Sequence, residues 1–147
     1  RSSPREIQNY LGRISGPLLD RIDLHVEVPA VKFREMSSAK TGETSAEIRA
    51  RVICARERQH RRFAEKKSVT CNARMGSRDL KAFCELDEST KELLQFAMTD
   101  LNLSARAYDR ILKVARTIAD LAGAEIIASE HVSEAIQYRS LDRQLWT

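Results

Sequence analysis

Apolar side chains recur at helical spacing along most of the chain and alternate with polar side chains in one short segment. Ser3 and Glu6 form a predicted capping box around Pro4, which indicates a first helix that ends at Gly16-Pro17. A short turn or helical stretch over 17–21 follows. Residues 22–28 then alternate between apolar and polar side chains, which is typical of a β-strand. One strand cannot satisfy its own backbone hydrogen-bonding groups, so we expect this orphan strand to belong to a sheet supplied by other residues.

From Thr44 onward the pattern is helical throughout, after a predicted linker over 29–43. A capping box at Thr44–Glu47 opens a long helix, and a loop over 66–76 follows it. Four further helices are predicted: one capped by Ser77, one near 88–101, one capped by Ser104 and ended by Gly123, and one capped by Ser129. Leu141 and Trp146 are expected to pack back onto the bundle. The apolar row of the long helix consists of Ile48, Val52, Ala55 and Phe63, with Gln59 among them.

The composition is that of a soluble globular protein. Of the 147 residues, 42% are hydrophobic and 31% are charged, and no apolar run approaches the roughly 20 residues that span a membrane. Three cysteines without a CxxC pair indicate neither a disulfide framework nor a zinc ribbon, and with no apolar leader we expect a cytoplasmic protein. Cys54 lies beside the apolar row of its helix and is expected to be a small buried thiol.

Positive charge is concentrated in the middle of the chain. The net charge is +4 overall, but residues 44–85 alone carry +6, against +1 for 1–43 and −3 for 86–147. Such a block most commonly forms a solvated helix face, and it can also face phosphates or an acidic partner. Aromatic residues make up only 5%, which argues against a surface on which bases stack.

No complete catalytic apparatus is evident. The five glycines form no GxxxxGK[ST] phosphate loop, and no HExxH motif occurs. His25, His60 and His131 are far apart on different elements, so we expect no metal site.

Two arginines stand out by their context. Arg21 lies where a short helical turn runs into the predicted strand, and its planar guanidinium suits phosphate. Its alternative role is a surface ion pair with Asp20 or Asp23, which would contribute little. Arg106 lies in the first turn of the helix capped by Ser104, where a cation opposes the helix dipole, and this placement suggests a nearby anion.

At these two arginines the sequence resembles a known family. YLGRISGPLLDRIDLHVEVP (residues 10–29) and LNLSARAYDRILKVARTIADLAG (residues 101–123) resemble the C-terminal part of ComM/YifB proteins. These belong to the magnesium-chelatase subunit I-like branch of the AAA+ ATPases, and residues 45–59 and 131–143 fit as well. The resemblance implies a mainly α fold. Residues 44–147 would form the helical lid, and residues 1–43 would be the end of the α/β core, with a helix, a turn, the orphan strand and a linker.

The resemblance also implies roles for the arginines. Proteins of this class bind ATP between subunits of a ring, usually a hexamer. Arg21 matches the arginine finger that reaches the γ-phosphate held by the next subunit, and Arg106 matches the sensor-2 arginine of the lid. Arg110, one turn further along, is the rival for the sensor-2 role. The Walker A, Walker B and sensor-1 residues would lie upstream of Arg1. ATP and Mg²⁺ would therefore bind the longer parent, none would be held by this chain alone, and the chain alone would not hydrolyse ATP.

Two functions remain open at this point. ComM-type relatives are associated with natural transformation and branch migration, so the resemblance implies a homo-oligomeric ATPase acting on DNA, with no membrane partner. The alternative is a lid module of a chelatase-type or chaperone-like ATPase that acts on a protein or a metal–porphyrin machine.

Overall fold

The computed structural model describes residues 3–13, 16–19, 21–28 and 42–139. The N-terminal part contains helix α1 (Pro4–Leu11) and the one-turn helix α2 (Gly16–Leu19). The predicted capping box is confirmed, because the Ser3 hydroxyl accepts from the Glu6 amide and the Glu6 carboxylate accepts from the Ser3 amide at 2.7 Å. This backbone hydrogen bond lowers the pKa of Glu6. Helix α1 ends at Leu11, before the predicted stop at Gly16-Pro17, and Gly16 instead begins α2.

Residues 22–28 do not form the predicted strand. No residue in the described ranges pairs in a β-sheet, and a strand needs a neighbour to satisfy its backbone groups. The amide of His25 instead donates to the carbonyl of Tyr138 at 2.7 Å. The apolar members of the alternation stay exposed, from 39% at Ile22 to 85% at Val28.

The remainder of the described chain is helical, which confirms a mainly α fold. A 3-10 turn at Asn72–Arg74 lies within the predicted loop over 66–76. The helices are α3 (Ser45–Arg62), α4 (Ser77–Phe83), α5 (Glu88–Asp100), α6 (Ala105–Leu121) and α7 (Ser129–Gln137).

From Thr44 onward, two of the four predicted serine and threonine caps are correct. The hydroxyl of Thr44 accepts from the Glu47 amide, and that of Ser104 accepts from the Ala107 amide at 3.2 Å. Ser77 and Ser129 are not caps, because each is already the first residue of its helix. In both helices a side chain three residues beyond the cap accepts from the capping residue's amide: the Asp79 carboxylate from Gly76 at 3.0 Å, and the His131 Nδ1 from Ala128 at 3.0 Å.

Helix α6 is the centre of the bundle. It packs against α3, α4, α7 and the 3-10 turn, and α7 also packs against α5. The apolar face of α6 forms the middle of the core, since Ile111, Ala115 and Ala119 are fully buried. Gly123 has φ +76°, a conformation that residues with a Cβ rarely adopt, which explains why the helix ends there. Around α6 the core is completed by Phe63, Met75, Leu80, Cys84, Leu86, Leu94, Ile127 and Val132.

Helix α3 is covered only over its second half. Ala55, Gln59 and Phe63 are buried as the apolar row predicts, but Ile48 and Val52 are 43% and 41% exposed. The expectation that Cys54 is buried is wrong for the same reason: within the described ranges no element covers α3 before Ala55.

Candidate functional site

Arg21 follows α2 directly and is exposed. Its Nη1 donates to the Pro17 carbonyl at 3.4 Å, a long bond within one turn of chain. The alternative of an ion pair with Asp23 is wrong, because the Asp23 carboxylate binds Arg110. Asp20, the other partner considered for Arg21, lies outside the described residues.

Arg106 is the second residue of α6 and lies off its buried face. Its side chain is exposed, whereas the next residue, Ala107, is fully buried. Across the described parts of the chain Arg106 makes no ion pair, so its guanidinium is available at the start of the best-packed helix. The contact of Arg106 with nucleotide stays a prediction.

Arg110, the other candidate for the sensor-2 role, forms an ion pair within the chain. Its Nη1 forms an ion pair with the Asp23 carboxylate, and the two side chains are 30% and 44% exposed. This pair joins α6 to the segment two residues beyond Arg21. The geometry therefore distinguishes the two candidates for the sensor-2 role, since Arg106 is exposed and Arg110 is paired.

Two further contacts hold the same segment. Nη1 of Arg139, a residue that is 1% exposed, donates to the Ile22 carbonyl. The amide of His25 donates to the Tyr138 carbonyl, as described above. Residues 22–25 are thus anchored on α6 and on the end of α7. Sequence reasoning missed Arg139 and the pairing of Asp23 with Arg110, because no local pattern indicates a partner 87 or 117 residues away.

A mainly apolar cavity of about 290 Å³ lies beside the anchored segment. Polar groups stand among its lining residues, including the Tyr138 hydroxyl, which donates to Glu134 at 3.0 Å. That hydrogen bond raises the pKa of Tyr138. The apolar part of the lining comes from Leu24, Ala73, Val114, Ile118 and Leu121.

A buried polar cluster fixes α3 and the 3-10 turn against α6. The carboxylate of Asp120 accepts from Arg62 at 2.7 Å and from the Asn72 amide group at 2.8 Å. Arg116 lies 3.3 Å from the same carboxylate and donates to the carbonyls of residues 124 and 125, both at 2.8 Å. Burial lowers the pKa of Arg116. The cluster has a structural role, because it holds α6, the helix that carries Arg106 and Arg110, against α3 and the 3-10 turn.

The described residues contain no group of three or more acidic, histidine or cysteine side chains that could hold a metal ion. The three histidines lie apart, on the segment after α2, on α3 and on α7. No helix in the described ranges is long and apolar enough to cross a membrane.

Comparison with known proteins agrees with this architecture. Residues 42–139 match the family model described as magnesium chelatase, subunit ChlI C-terminal, and residues 1–36 match the model for magnesium chelatase, subunit ChlI. The helical bundle and the preceding arginine-bearing segment thus correspond to two parts of one class of AAA+ ATPases. The chain belongs to the magnesium chelatase subunit ChlI family.

Several curated relatives resemble the chain over nearly its whole length. It is 44% identical to the uncharacterized protein YifB of Salmonella typhimurium and 42% identical to the competence protein ComM of Haemophilus influenzae, over 99% of the chain in both cases. The YifB protein of Escherichia coli is also 42% identical over the same share. The chain spans 28% of the length of each of these three relatives.

Proposed function

We propose that this chain is the lid and arginine-finger region of a ring-forming ATPase. In this proposal Arg21 reaches the ATP bound by the neighbouring subunit, and Arg106 contacts the ATP bound by its own subunit. The observation that carries the proposal is the contrast within α6: Arg106 is exposed in the first turn, while Arg110 is held by Asp23. Family membership supplies the class of reaction.

The side chains present fit contact with a phosphate group but not a complete ATP site. Exposed guanidinium groups at Arg21 and Arg106 can each donate several hydrogen bonds to phosphate oxygens. The sequence has no glycine-rich phosphate loop, so the phosphate cradle and the Mg²⁺ ligands would come from other residues of the longer protein. Bound MgATP supplies the γ-phosphoryl group for hydrolysis, and an arginine placed beside it offsets the charge that develops there.

The proposed ring follows from the role assigned to Arg21. An arginine finger acts on the site of another subunit, so a monomer would have an incomplete site. We propose a hexamer, the usual assembly of this class. The prediction that this chain alone does not turn over ATP belongs to the same proposal.

DNA is the substrate that we favour for the longer protein. Residues 44–85 carry a net charge of +6, and Arg49, Arg56 and Arg61 of α3 are exposed. One relative that is 42% identical is named a competence protein. The alternative, a chelatase-type machine acting on a protein or a metal–porphyrin, is favoured by the descriptions of the two matching family models. DNA binding by the full-length ATPase at several salt concentrations separates the two, since neutralised phosphates make affinity fall steeply with salt.

The arginine assignment is tested by comparing Arg106→Ala with Arg110→Ala. We expect Arg106→Ala to leave the melting temperature of the 147-residue chain unchanged or slightly higher, because a cation in the first turn is unfavourable. The same change should lower ATP turnover in the full-length protein. Normal turnover of the Arg106 variant, with a loss of nucleotide affinity only for Arg110→Ala, would move the sensor-2 role to Arg110.

A further inference from the structure

The segment that carries Arg21 is held by the helix that carries Arg106. Asp23 lies two residues after Arg21, and its partner Arg110 lies four residues, about one helical turn, after Arg106. The ion pair therefore joins the neighbourhoods of the two arginines to which the proposed function assigns the nucleotide contacts.

Two backbone contacts fix the residues on either side of Asp23. The Ile22 carbonyl accepts from Arg139, and the His25 amide donates to the Tyr138 carbonyl at 2.7 Å, so the residues on both sides of Asp23 are fixed to the end of α7. These two contacts use backbone groups of the segment. Asp23 thus ties this segment to α6 through an ion pair, and Arg21 lies two residues before it.

We propose that the Asp23–Arg110 ion pair positions Arg21 relative to α6, so that movement of the lid around one nucleotide moves the finger that serves the next. This inference rests on the proposed function. Asp23 and Arg110 are positioning residues in this proposal and contact no nucleotide. Partial exposure of both side chains means that the pair contributes little to folding stability, so its effect should be seen in turnover.

The test measures ATP hydrolysis by the full-length ATPase carrying Asp23→Asn, which removes the charge and keeps the shape. We expect kcat to fall between about 5-fold and 100-fold, since a misplacement of about 1 Å at a reacting group can cost about 100-fold. KM for ATP should stay within about twofold, because Arg106 is untouched and a loss confined to kcat reports an interaction made in the transition state. The melting temperature should be unchanged.

Matched variants show whether the effect belongs to this pair. Glu43→Gln makes the same kind of change in the exposed Arg51–Glu43 pair, whose side chains are 46% and 52% exposed, and should leave kcat unchanged. Arg110→Lys keeps the charge and should retain most of the turnover, whereas Arg110→Gln should match Asp23→Asn. The Asp23→Asn/Arg110→Gln double variant should be no slower than either single variant, because both remove one interaction.

Three results would overturn the inference in different ways. If Arg21→Ala abolishes turnover while Asp23→Asn has the wild-type kcat, Arg21 is a finger that does not depend on the ion pair, and the proposed function stands without this inference. If Arg21→Ala has normal turnover, the proposed function fails at Arg21 and the inference fails with it. Additive losses in the double variant would also contradict a role through one shared contact.

Discussion

The carboxylate of Asp120, fully buried on α6, receives two hydrogen bonds from the guanidinium of Arg62 at the end of α3. The Arg62 side chain is 14% exposed, so both charges are largely withdrawn from water and depend on each other. Asn72 donates a further hydrogen bond to this carboxylate, and Arg116 forms an ion pair with it. This arrangement keeps the bundle rigid around the helix on which the candidate nucleotide contacts lie.

Replacing Asp120 by alanine should destabilise the chain strongly. The change leaves Arg62 and Arg116 buried without their counter-charge, and breaking a buried pair in this way costs about 3–5 kcal/mol. Urea unfolding of the 147-residue chain measures the effect. Asp109→Ala, at an exposed position of the same helix, is the control and should change the free energy of unfolding by less than about 1 kcal/mol. An unfolding free energy for Asp120→Ala equal to that of the control would contradict the role of the cluster.

Replacing Ser104 by alanine should weaken the start of α6. The hydroxyl of Ser104 satisfies the Ala107 amide, and loss of such a cap costs about 0.5–2 kcal/mol. Ser129→Ala is a close control, because Ser129 also stands at the start of a helix but is not its cap. Chemical denaturation should show a clear loss for the first variant and almost none for the second. Equal losses would mean that Ser129 contributes to capping after all.

The three cysteines should differ in reactivity. Burial raises the pKa of Cys84 to about 11, whereas Cys54 is exposed. Alkylation near pH 8, followed by mass spectrometry, should modify Cys54 first and leave Cys84 intact in the folded chain, since the thiolate is the reacting species. Modification of Cys84 at the rate of Cys54 would show that the core opens readily around it.

The same pKa shift gives stability a pH dependence. A thiol ionises in the unfolded chain near its ordinary value of 9.0, while folded Cys84 keeps its proton until about pH 11. The folded state therefore binds more protons in this window, and its stability should be full below pH 9 and fall as the pH rises toward 11. Cys84→Ala should reduce that slope in denaturation curves measured from pH 8 to pH 10.5. An unchanged slope would assign the pH dependence to other groups.

Local pattern was sufficient for the existence of the helices from Thr44 onward, but it was insufficient for the end of α1 and for the contacts that assemble the site. Thr44, Ser104 and Gly123 mark their helix ends through hydrogen bonds and backbone angles that depend on neighbouring residues. Ser77 and Ser129 were wrongly predicted as caps. The side chains of Asp79 and His131, inside the two helices, accept from the amides of the residues that do cap them. A pattern of neighbouring residues carries no signal for a partner that folding brings from far along the chain.

The contacts within the candidate site show that distant partners cannot be predicted from local pattern. The sequence singled out Arg21, Arg106 and Arg110, but it could not show that Arg110 binds Asp23 or that Arg139 holds the Ile22 carbonyl. Both contacts depend on how α6 and α7 pack against the segment after α2. Strand alternation at 22–28 was equally uninformative, since it specifies a face but not a partner strand.

Arg21 is proposed to complete the ATP site of a neighbouring subunit, and mixing two kinds of inactive subunit provides a direct test of that role. Full-length Arg21→Ala subunits, inactive alone, are mixed with equally inactive subunits that lack a functional Walker A motif, and ATP turnover is measured. Because an arginine finger supplied by a neighbour contributes about 10³–10⁵ in rate, the Arg21→Ala subunits alone should have almost no ATP turnover. Turnover should recover in the mixture, at interfaces where an intact Arg21 meets an intact Walker A site. Wild-type turnover by Arg21→Ala alone, or no recovery in mixtures shown to co-assemble, would contradict that role.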